Sequence, residues 1–222
     1  MILSIKNLNK HYENKAIYKN FNLELNKNQV NCIIGKSGCG KSTLLNLITG
    51  IIESDDEKFK TLPKDEISYI FQEDRLIDWL TLEENMKIVG KKFYDKDKLN
   101  IVVDRYLSLV GIQDHKNVYP QMLSGGIRQR ANIARAFIKP SKYIIMDEPF
   151  KSIDVKIKND IMLKLKRILK ENLKTVIFVT HDIEEALFLS DKILILGGSP
   201  VKIKKSFNNL SEVNKEDIIK FI

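Results

Sequence analysis

The stretch from Gly35 to Thr43 has the residue types and the spacing needed to bind a nucleoside triphosphate. It fits the pattern G-x-x-x-x-G-K-[ST], and it lies between an apolar run and a helical pattern, as this motif requires. Glycines let backbone N–H groups curl around phosphates, the lysine reaches the β- and γ-phosphates, and the serine hydroxyl binds Mg²⁺. We therefore predict a phosphate loop made of Gly35, Lys36, Ser37, Gly38, Cys39, Gly40, Lys41, Ser42 and Thr43.

Two acids follow a second apolar run, from Tyr143 to Met146. Acids at the carboxyl end of a central strand lie beside the phosphate loop in open α/β sheets. We expect Asp147 to hold Mg²⁺ and Glu148 to accept a proton from an attacking water. The alternative is that the two acids merely cap the segment that starts at Pro149.

Two further sites could contact the same nucleotide. His181 follows the apolar run from Thr175 to Val179 and opens a helix, so we expect it to contact the γ-phosphate, although a lone histidine is usually a capping or surface residue. Residues Ser124, Gly125 and Gly126 begin an alanine-rich helix whose N-terminus is a ready-made anion site. On physical grounds alone Ser124 is most simply an N-cap.

Length and composition limit the class of protein. The 222 residues are 43% hydrophobic and 30% charged, which is enough for a substantial core in one large domain or two small ones. No apolar run reaches the ~18 residues of a membrane span, and the N-terminus does not resemble a signal peptide, so we expect a cytosolic protein. The net charge of +8 suits phosphate ligands, nucleic acid or an anionic membrane face without choosing among them.

The apolar periodicity predicts an α/β fold. Period-two alternation at Leu3 and Ile5 and again from Phe21 to Leu25 indicates an antiparallel layer at the start of the chain. Tyr12 lies in a polar segment between them, where it stacks on a base or packs as a half-buried loop residue. Helical patterns after Thr81, which can form a capping box with Glu84, indicate a helical block, and the segment from Ser211 to Ile222 is predicted to form a final helix. Trp79, just before the helical block, is equally consistent with a buried anchor and a partner contact.

Six elements in fixed order make the chain similar to the ATP-binding cassette (ABC) ATPases. They are the phosphate loop, Gln72 after a strand, Leu-Ser-Gly-Gly at 123–126, Met-Asp-Glu-Pro at 146–149, Ser-Ile-Asp at 152–154, and His181. The resemblance implies a single ABC ATPase domain over residues 1–222. It also implies a mostly parallel core sheet, an N-terminal antiparallel β layer and a helical subdomain inserted at about 76–137.

The resemblance also assigns roles to individual residues. Tyr12 would stack on adenine, Glu148 and His181 would act at the γ-phosphate, and Gln72 would join Ser42 and Asp147 around Mg²⁺. Ser124, Gly125 and Gly126 would bind the nucleotide held by a second subunit, so the working unit would be a head-to-tail dimer. Gln129 and Asp154 would also belong to the nucleotide site.

The segment from Phe71 to Thr81 and the Gly-Gly-Ile-Arg-Gln-Arg continuation look like importer ATPases of the nitrate, sulfonate and taurine type. This implies a subunit on the inner face of the cell membrane that contacts permease subunits through Gln72–Trp79 and acts indirectly with a solute-binding protein. Only about twenty residues separate Gly50 from Gln72, whereas the family usually has a longer stretch there that includes part of its β layer. We therefore expect a trimmed β layer.

Two alternatives share most of these motifs. An exporter or lipid-extracting system would differ only around Gln72 to Asn85. A soluble ABC protein acting on nucleic acid usually has two cassettes or a long coiled coil, so we expect no nucleic acid partner. Leu123 to Gly126 disfavours a simple nucleotide kinase.

Overall fold

A six-stranded sheet forms the centre of the chain, whose computed structural model describes residues 2–222. The strands are β1 (Ile2–Tyr12), β2 (Lys15–Asn26), β3 (Val30–Gly35), β4 (Ile67–Ile70), β5 (Tyr143–Asp147), β6 (Thr175–Val179), β7 (Lys192–Gly197) and β8 (Lys202–Phe207). The sheet has the order β4-β5-β6-β3-β7-β8, and β8 alone runs antiparallel to its neighbour. Its inner strands are mostly apolar because both faces of a parallel sheet are covered.

The helices pack on this sheet and build two cores. They are α1 (Lys41–Thr49), α2 (Leu82–Gly90), α3 (Lys96–Leu109), α4 (Gly125–Ile138), α5 (Val155–Glu171), α6 (Ile183–Leu189) and α7 (Lys215–Ile219). Successive strand residues point to opposite faces. Ile33 therefore packs with α1 and the N-terminal strands, whereas Cys32 and Ile34 pack with α2 to α6.

The N-terminal antiparallel layer consists of β1 and β2 alone. Residues 51–66 contribute no strand and instead fold back along β1, where Asp55 accepts hydrogen bonds from the Lys10 ammonium at 3.0 Å and the His11 N–H at 2.6 Å. The trimmed layer predicted from the short spacing is confirmed. Tyr12, which we expected in a segment between strands, is the last residue of β1.

Helices α2, α3 and α4 follow β4 and precede β5 in the chain, and they pack against one another. Thr81 and Glu84 form the predicted capping box at the start of α2. The alanine-rich sequence of α4 allows close packing, and Ala131 and Ala134 are buried against its neighbours. These three helices fall in the segment of about 76–137 that we assigned to a helical subdomain, and α4 extends one residue beyond it.

The last helix is shorter than we predicted. The pattern from Ser211 to Ile222 indicated one helix, but α7 spans only Lys215–Ile219. Asn214 and Asp217 form a capping box that fixes its start, and this local preference overrides the longer apolar pattern. No helix within residues 2–222 combines the length and the apolar character needed to cross a bilayer.

Candidate active site

The phosphate loop leaves β3 at Gly35 and enters α1 at Lys41. Gly38 and Gly40 have positive φ angles of 74° and 101°, which glycine adopts without steric cost. Lys41 is only 6% exposed, and its Nζ donates to the carbonyl oxygens of Gly35 at 2.8 Å and Lys36 at 3.0 Å. The ammonium group therefore lies inside the loop, where the phosphates of a nucleotide would take the place of these carbonyls.

Tyr18 of β2 supports the loop from the N-terminal layer. It is fully buried, and its hydroxyl donates to the carbonyl oxygen of Gly40 at 2.9 Å. Burial, with a smaller contribution from Cys39, raises the pKa of this hydroxyl above its ordinary value, so it remains a donor. Sequence reasoning missed Tyr18, because no local pattern signals a hydrogen bond to a distant glycine.

Tyr18→Phe should loosen the phosphate loop without leaving a cavity. The variant loses one buried hydrogen bond, so we expect the free energy of unfolding to fall by about 1–2 kcal/mol. ATP affinity should fall with it, because the loop loses a constraint. Tyr143→Phe is the matched control, since Tyr143 is half-buried at the far end of the sheet. Urea unfolding and ATP titration would measure both effects, and identical results for the two variants would contradict this role.

Asp147 ends β5 beside the phosphate loop, where the Ser42 side chain favours the ionised form of its carboxyl. Burial raises the pKa of its carboxyl and so does the charge of Glu148, whereas Ser42 and Lys41 act in the opposite direction. Its Oδ1 atom is buried and has no hydrogen-bond partner among residues 2–222. An unpartnered buried carboxylate oxygen is costly, and a divalent cation would compensate it. Ser42 and Asp147 therefore fit a Mg²⁺ site.

Glu148 and His181 face each other just beyond the ends of β5 and β6. The Nδ1 atom of His181 lies 3.2 Å from Oε1 of Glu148. Glu148 has a φ angle of 45°, which is unusual for a residue other than glycine, and its N–H donates to the carbonyl of Val179 at 2.9 Å. Such backbone conformations concentrate at functional sites. Both side chains are partly exposed, so they can reach a molecule bound at this edge of the sheet.

Gln72 lies exposed just after β4, in the wall of a cleft of about 580 Å³. Gly125, Gln129 and Ser152 line the same cleft. The structure therefore brings Gln72 close to the turn at Ser124–Gly126, which we call the signature turn. None of the phosphate-loop residues lines this cleft in the part of the chain that the structure describes.

The signature turn presents an open side to its surroundings. Ser124 caps α4 as predicted, accepting a hydrogen bond from the N–H of Ile127 at 3.4 Å. A Cβ atom added at Gly125 would meet no atom of residues 2–222 within 4 Å. One added at Gly126 would lie 3.0 Å from the carbonyl oxygen of Ser152. The turn is thus packed on one side and uncovered on the other.

Two predicted nucleotide contacts have partners within the chain, and a third is exposed. Gln129 is buried and donates to the carbonyl oxygen of Pro149 at 2.8 Å. Asp154 caps α5 by accepting a hydrogen bond from the N–H two residues further on. Tyr12 is 48% exposed, with the Lys10 ammonium 5.5 Å from its ring centre. Its ring therefore has a face that another molecule can contact.

Helix α4 holds the loop at 71–75 through side chains that sequence reasoning did not single out. Arg128 makes two hydrogen bonds to the carboxylate of Asp74, at 2.9 and 3.2 Å. Arg135 donates to two main-chain carbonyls of the same loop, and Asn132 donates to a third. The helix that begins at the signature turn is therefore tied directly to the loop that carries Gln72.

Asn85 fixes the segment that carries Trp79. It is fully buried, its Oδ1 accepts from the N–H of Ile77 at 2.8 Å, and its amide donates to the carbonyls of Ile77 and Leu80 at 3.0 Å. Trp79 itself is 79% exposed. Of the two interpretations of this tryptophan, the buried anchor is therefore wrong, and the partner contact stays a prediction.

Residues 18–151 match the family described as ABC transporter. The chain belongs to the ABC transporter family. This ABC ATPase is 37% identical over 222 residues to the aliphatic sulfonates import ATP-binding protein SsuB of Bacillus cereus, in an alignment that covers 94% of this chain and 86% of that protein. It is 36% identical over 212 residues to the bicarbonate transport ATP-binding protein CmpD of Synechocystis sp., with 89% and 75% covered.

A solved structure supports the same assignment. The dimeric, post-hydrolysis state of the ATP-binding cassette MJ0796 bound to ADP and Pi matches this ABC ATPase with a TM-score of 0.83 and 29% identity. The match covers 96% of this chain and 100% of that chain. The predicted fold class, the resemblance to sulfonate-type importer ATPases and the ATPase activity are therefore confirmed.

Proposed function

We propose that this ABC ATPase drives the import of a small anion of the sulfonate type. The observation that carries the proposal is the signature turn, which is uncovered on one side and lies at a cleft that no phosphate-loop residue lines within residues 2–222. Relatives named for sulfonate import and bicarbonate transport support the cargo class, because both solutes are small anions. In this reading residues 1–222 act as one ABC ATPase domain, with 76–137 as its helical subdomain.

The chain's own residues supply the parts of ATP hydrolysis. The phosphate loop binds the phosphates, Lys41 contacts the β- and γ-phosphates, and Tyr12 stacks on adenine. A water oxygen attacks the γ-phosphorus, the bond to the ADP oxygen breaks, and Glu148 takes the proton that the water loses. His181, 3.2 Å from Glu148, contacts the γ-phosphate and orients the carboxylate.

A magnesium ion fits the same site. Ser42 favours the ionised form of Asp147, whose unpartnered Oδ1 is a suitable oxygen ligand. Gln72, which lines the cleft beside the signature turn, would be the third protein ligand. When bound, Mg²⁺ would neutralise negative charge on the phosphates.

The complete site requires a second copy of the chain. In a head-to-tail dimer the signature turn of one subunit covers the nucleotide held by the loop of the other, with Gln129 and Asp154 close to that interface. The match to a dimeric cassette supports self-association. The open side of Gly125 supports the geometry, because a phosphate can approach a glycine backbone without steric hindrance.

The permease subunits would dock near Gln72–Trp79. Three large apolar side chains in or near this region are exposed: Trp79 at 79%, Met122 at 76% and Tyr119 at 46%. Exposed tryptophan, tyrosine and methionine side chains are typical of protein interfaces. Because α4 ties this loop to the signature turn, closure of the dimer would be transmitted to the permease.

Trp79 should become protected when the permease binds. It is the only tryptophan, so its fluorescence reports this site alone. We expect efficient acrylamide quenching in the free chain and clearly weaker quenching in the purified complex, because the partner would cover the ring. Equal quenching in the free chain and in the complex would exclude Trp79 from the interface.

The proposed location is the inner face of the cell membrane, with a solute-binding protein delivering the cargo outside. Reconstitution with the permease and that protein in vesicles would test both direction and cargo. We expect ATP-dependent uptake of a radiolabelled alkanesulfonate, with bicarbonate as a second anion and a polyamine as a cationic control. Uptake of the polyamine alone, or movement in the export direction, would contradict the proposal.

A further inference from the structure

Lys158, in the first turns of α5, is a mostly buried lysine to which the proposed reaction gives no role. Its side chain is 15% exposed, and its Nζ lies 2.8 Å from Oδ2 of Asp182 and 2.9 Å from Oε1 of Glu185. The Glu185 side chain is only 7% exposed, and a charge buried to that extent needs a partner. No other cation pairs with either acid within residues 2–222.

The two acids hold the turn that carries His181. Thr180 donates through Oγ1 to Oε2 of Glu185 at 2.7 Å, and the N–H of Asp182 donates to the same Oγ1 at 3.0 Å. Asp182 also caps α6 by accepting hydrogen bonds from two N–H groups of its first turn. Both neighbours of His181 in the chain therefore belong to one hydrogen-bonded network.

The ammonium group of Lys158 balances the charge of this network. Burial raises the pKa of the Glu185 carboxyl, and the hydrogen bonds from Lys158 and Thr180 oppose that rise. Burial also disfavours ionised Asp182, yet the bonds from Lys158 and from backbone N–H groups hold its pKa below the ordinary value. Without Lys158, two neighbouring carboxylates would repel each other beside His181.

Lys158 is connected to the signature turn by the first turn of α5 and by a close approach of Ser152 to Gly126. Its N–H donates to the carbonyl of Asp154 at 2.8 Å, which closes the first turn of α5. Ser152, two residues before Asp154, has its carbonyl 3.0 Å from the position of a Cβ at Gly126. A continuous set of contacts therefore runs from the signature turn through the start of α5 to the turn at His181.

We propose that Lys158 is a positioning residue that sets His181 relative to the signature turn of its own chain. The inference rests on the proposed roles of His181 and Glu148. Because Nδ1 of His181 lies 3.2 Å from Glu148, movement of this turn would misplace the groups that act on the water. A displacement of about 1 Å at an active site can lower the rate ~10²-fold. Because these ion pairs and hydrogen bonds involve no phosphate-loop residue, we expect ATP binding to be unchanged.

The kcat and KM for ATP should be measured for full-length Lys158→Met, Lys158→Arg and Lys164→Met. Lys164 is the control, because it forms an exposed ion pair with Asp160 on the same helix. We expect Lys158→Met to lower kcat about 10- to 100-fold with KM nearly unchanged. Lys158→Arg should recover most of the rate, since a guanidinium group can bind both acids.

A folded Lys158→Met variant whose kcat matches that of Lys164→Met would overturn the inference. So would failure of the arginine variant to recover the rate. If Lys158→Met does not fold, Lys158→Gln, which retains a donor but no charge, takes the same test. Glu148→Gln, measured in parallel, separates the two proposals. If Glu148→Gln loses turnover while Lys158→Met does not, only the proposed role of Lys158 is wrong. If Glu148→Gln also keeps turnover, the proposed active site is wrong.

Discussion

The Glu148→Gln variant should bind ATP as tightly as the wild-type chain and hydrolyse it about 10²- to 10⁴-fold more slowly. Glutamine has nearly the same shape as glutamate and can still contact Nδ1 of His181, but its amide cannot accept the proton of the attacking water. The proton moves only in the transition state, so its loss lowers kcat without changing ground-state binding. The unusual φ angle of 45° at this position is unaffected, because the backbone stays the same.

The measurement is a pair of assays on one preparation: equilibrium ATP binding and steady-state phosphate release. Glu171→Gln is the matched control, since Glu171 is exposed at the far end of α5. It should retain both properties. Phosphate release by Glu148→Gln close to the wild-type rate would show that another group accepts the proton.

Features encoded in a short run of residues could be predicted from the sequence. The phosphate loop needs only a strand, closely spaced glycines and a helix start, and these are contiguous in the chain. The capping box at Thr81 and Glu84 is equally local, and so is the strand that ends at Asp147. The short polar stretch after Gly50 predicted the trimmed β layer for the same reason.

Contacts between distant parts of the chain could not be predicted in this way. The Tyr18 hydroxyl reaches Gly40 across 22 positions, and Lys158 reaches Asp182 across 24. Neither pair belongs to a periodic pattern, so one sequence contains no signal that joins them. Nor could the sequence place Gln72, because its position relative to the phosphate loop depends on how α4 holds the neighbouring segment.

Lys41→Ala and Ser124→Arg should each abolish ATP hydrolysis when present in both subunits of the dimer. Alanine removes the ammonium group that lies inside the phosphate loop. Arginine adds bulk to the uncovered side of the signature turn and would place a positive charge close to the Mg²⁺ of the partner's nucleotide, so it would block that site. We expect Ser124→Arg to keep the ATP affinity of its own loop, whereas Lys41→Ala loses it.

The most direct test of the shared site is ATP hydrolysis by an equal mixture of these two variants. In the mixed dimer the intact loop of one subunit faces the intact signature turn of the other, so one of its two sites is whole. Random association makes half of the dimers mixed, and activity should return to about a quarter of the wild-type rate. Native mass spectrometry would verify that mixed dimers form. No recovery in a sample that contains them would mean that each chain uses its own signature turn, and the shared-site account would be wrong.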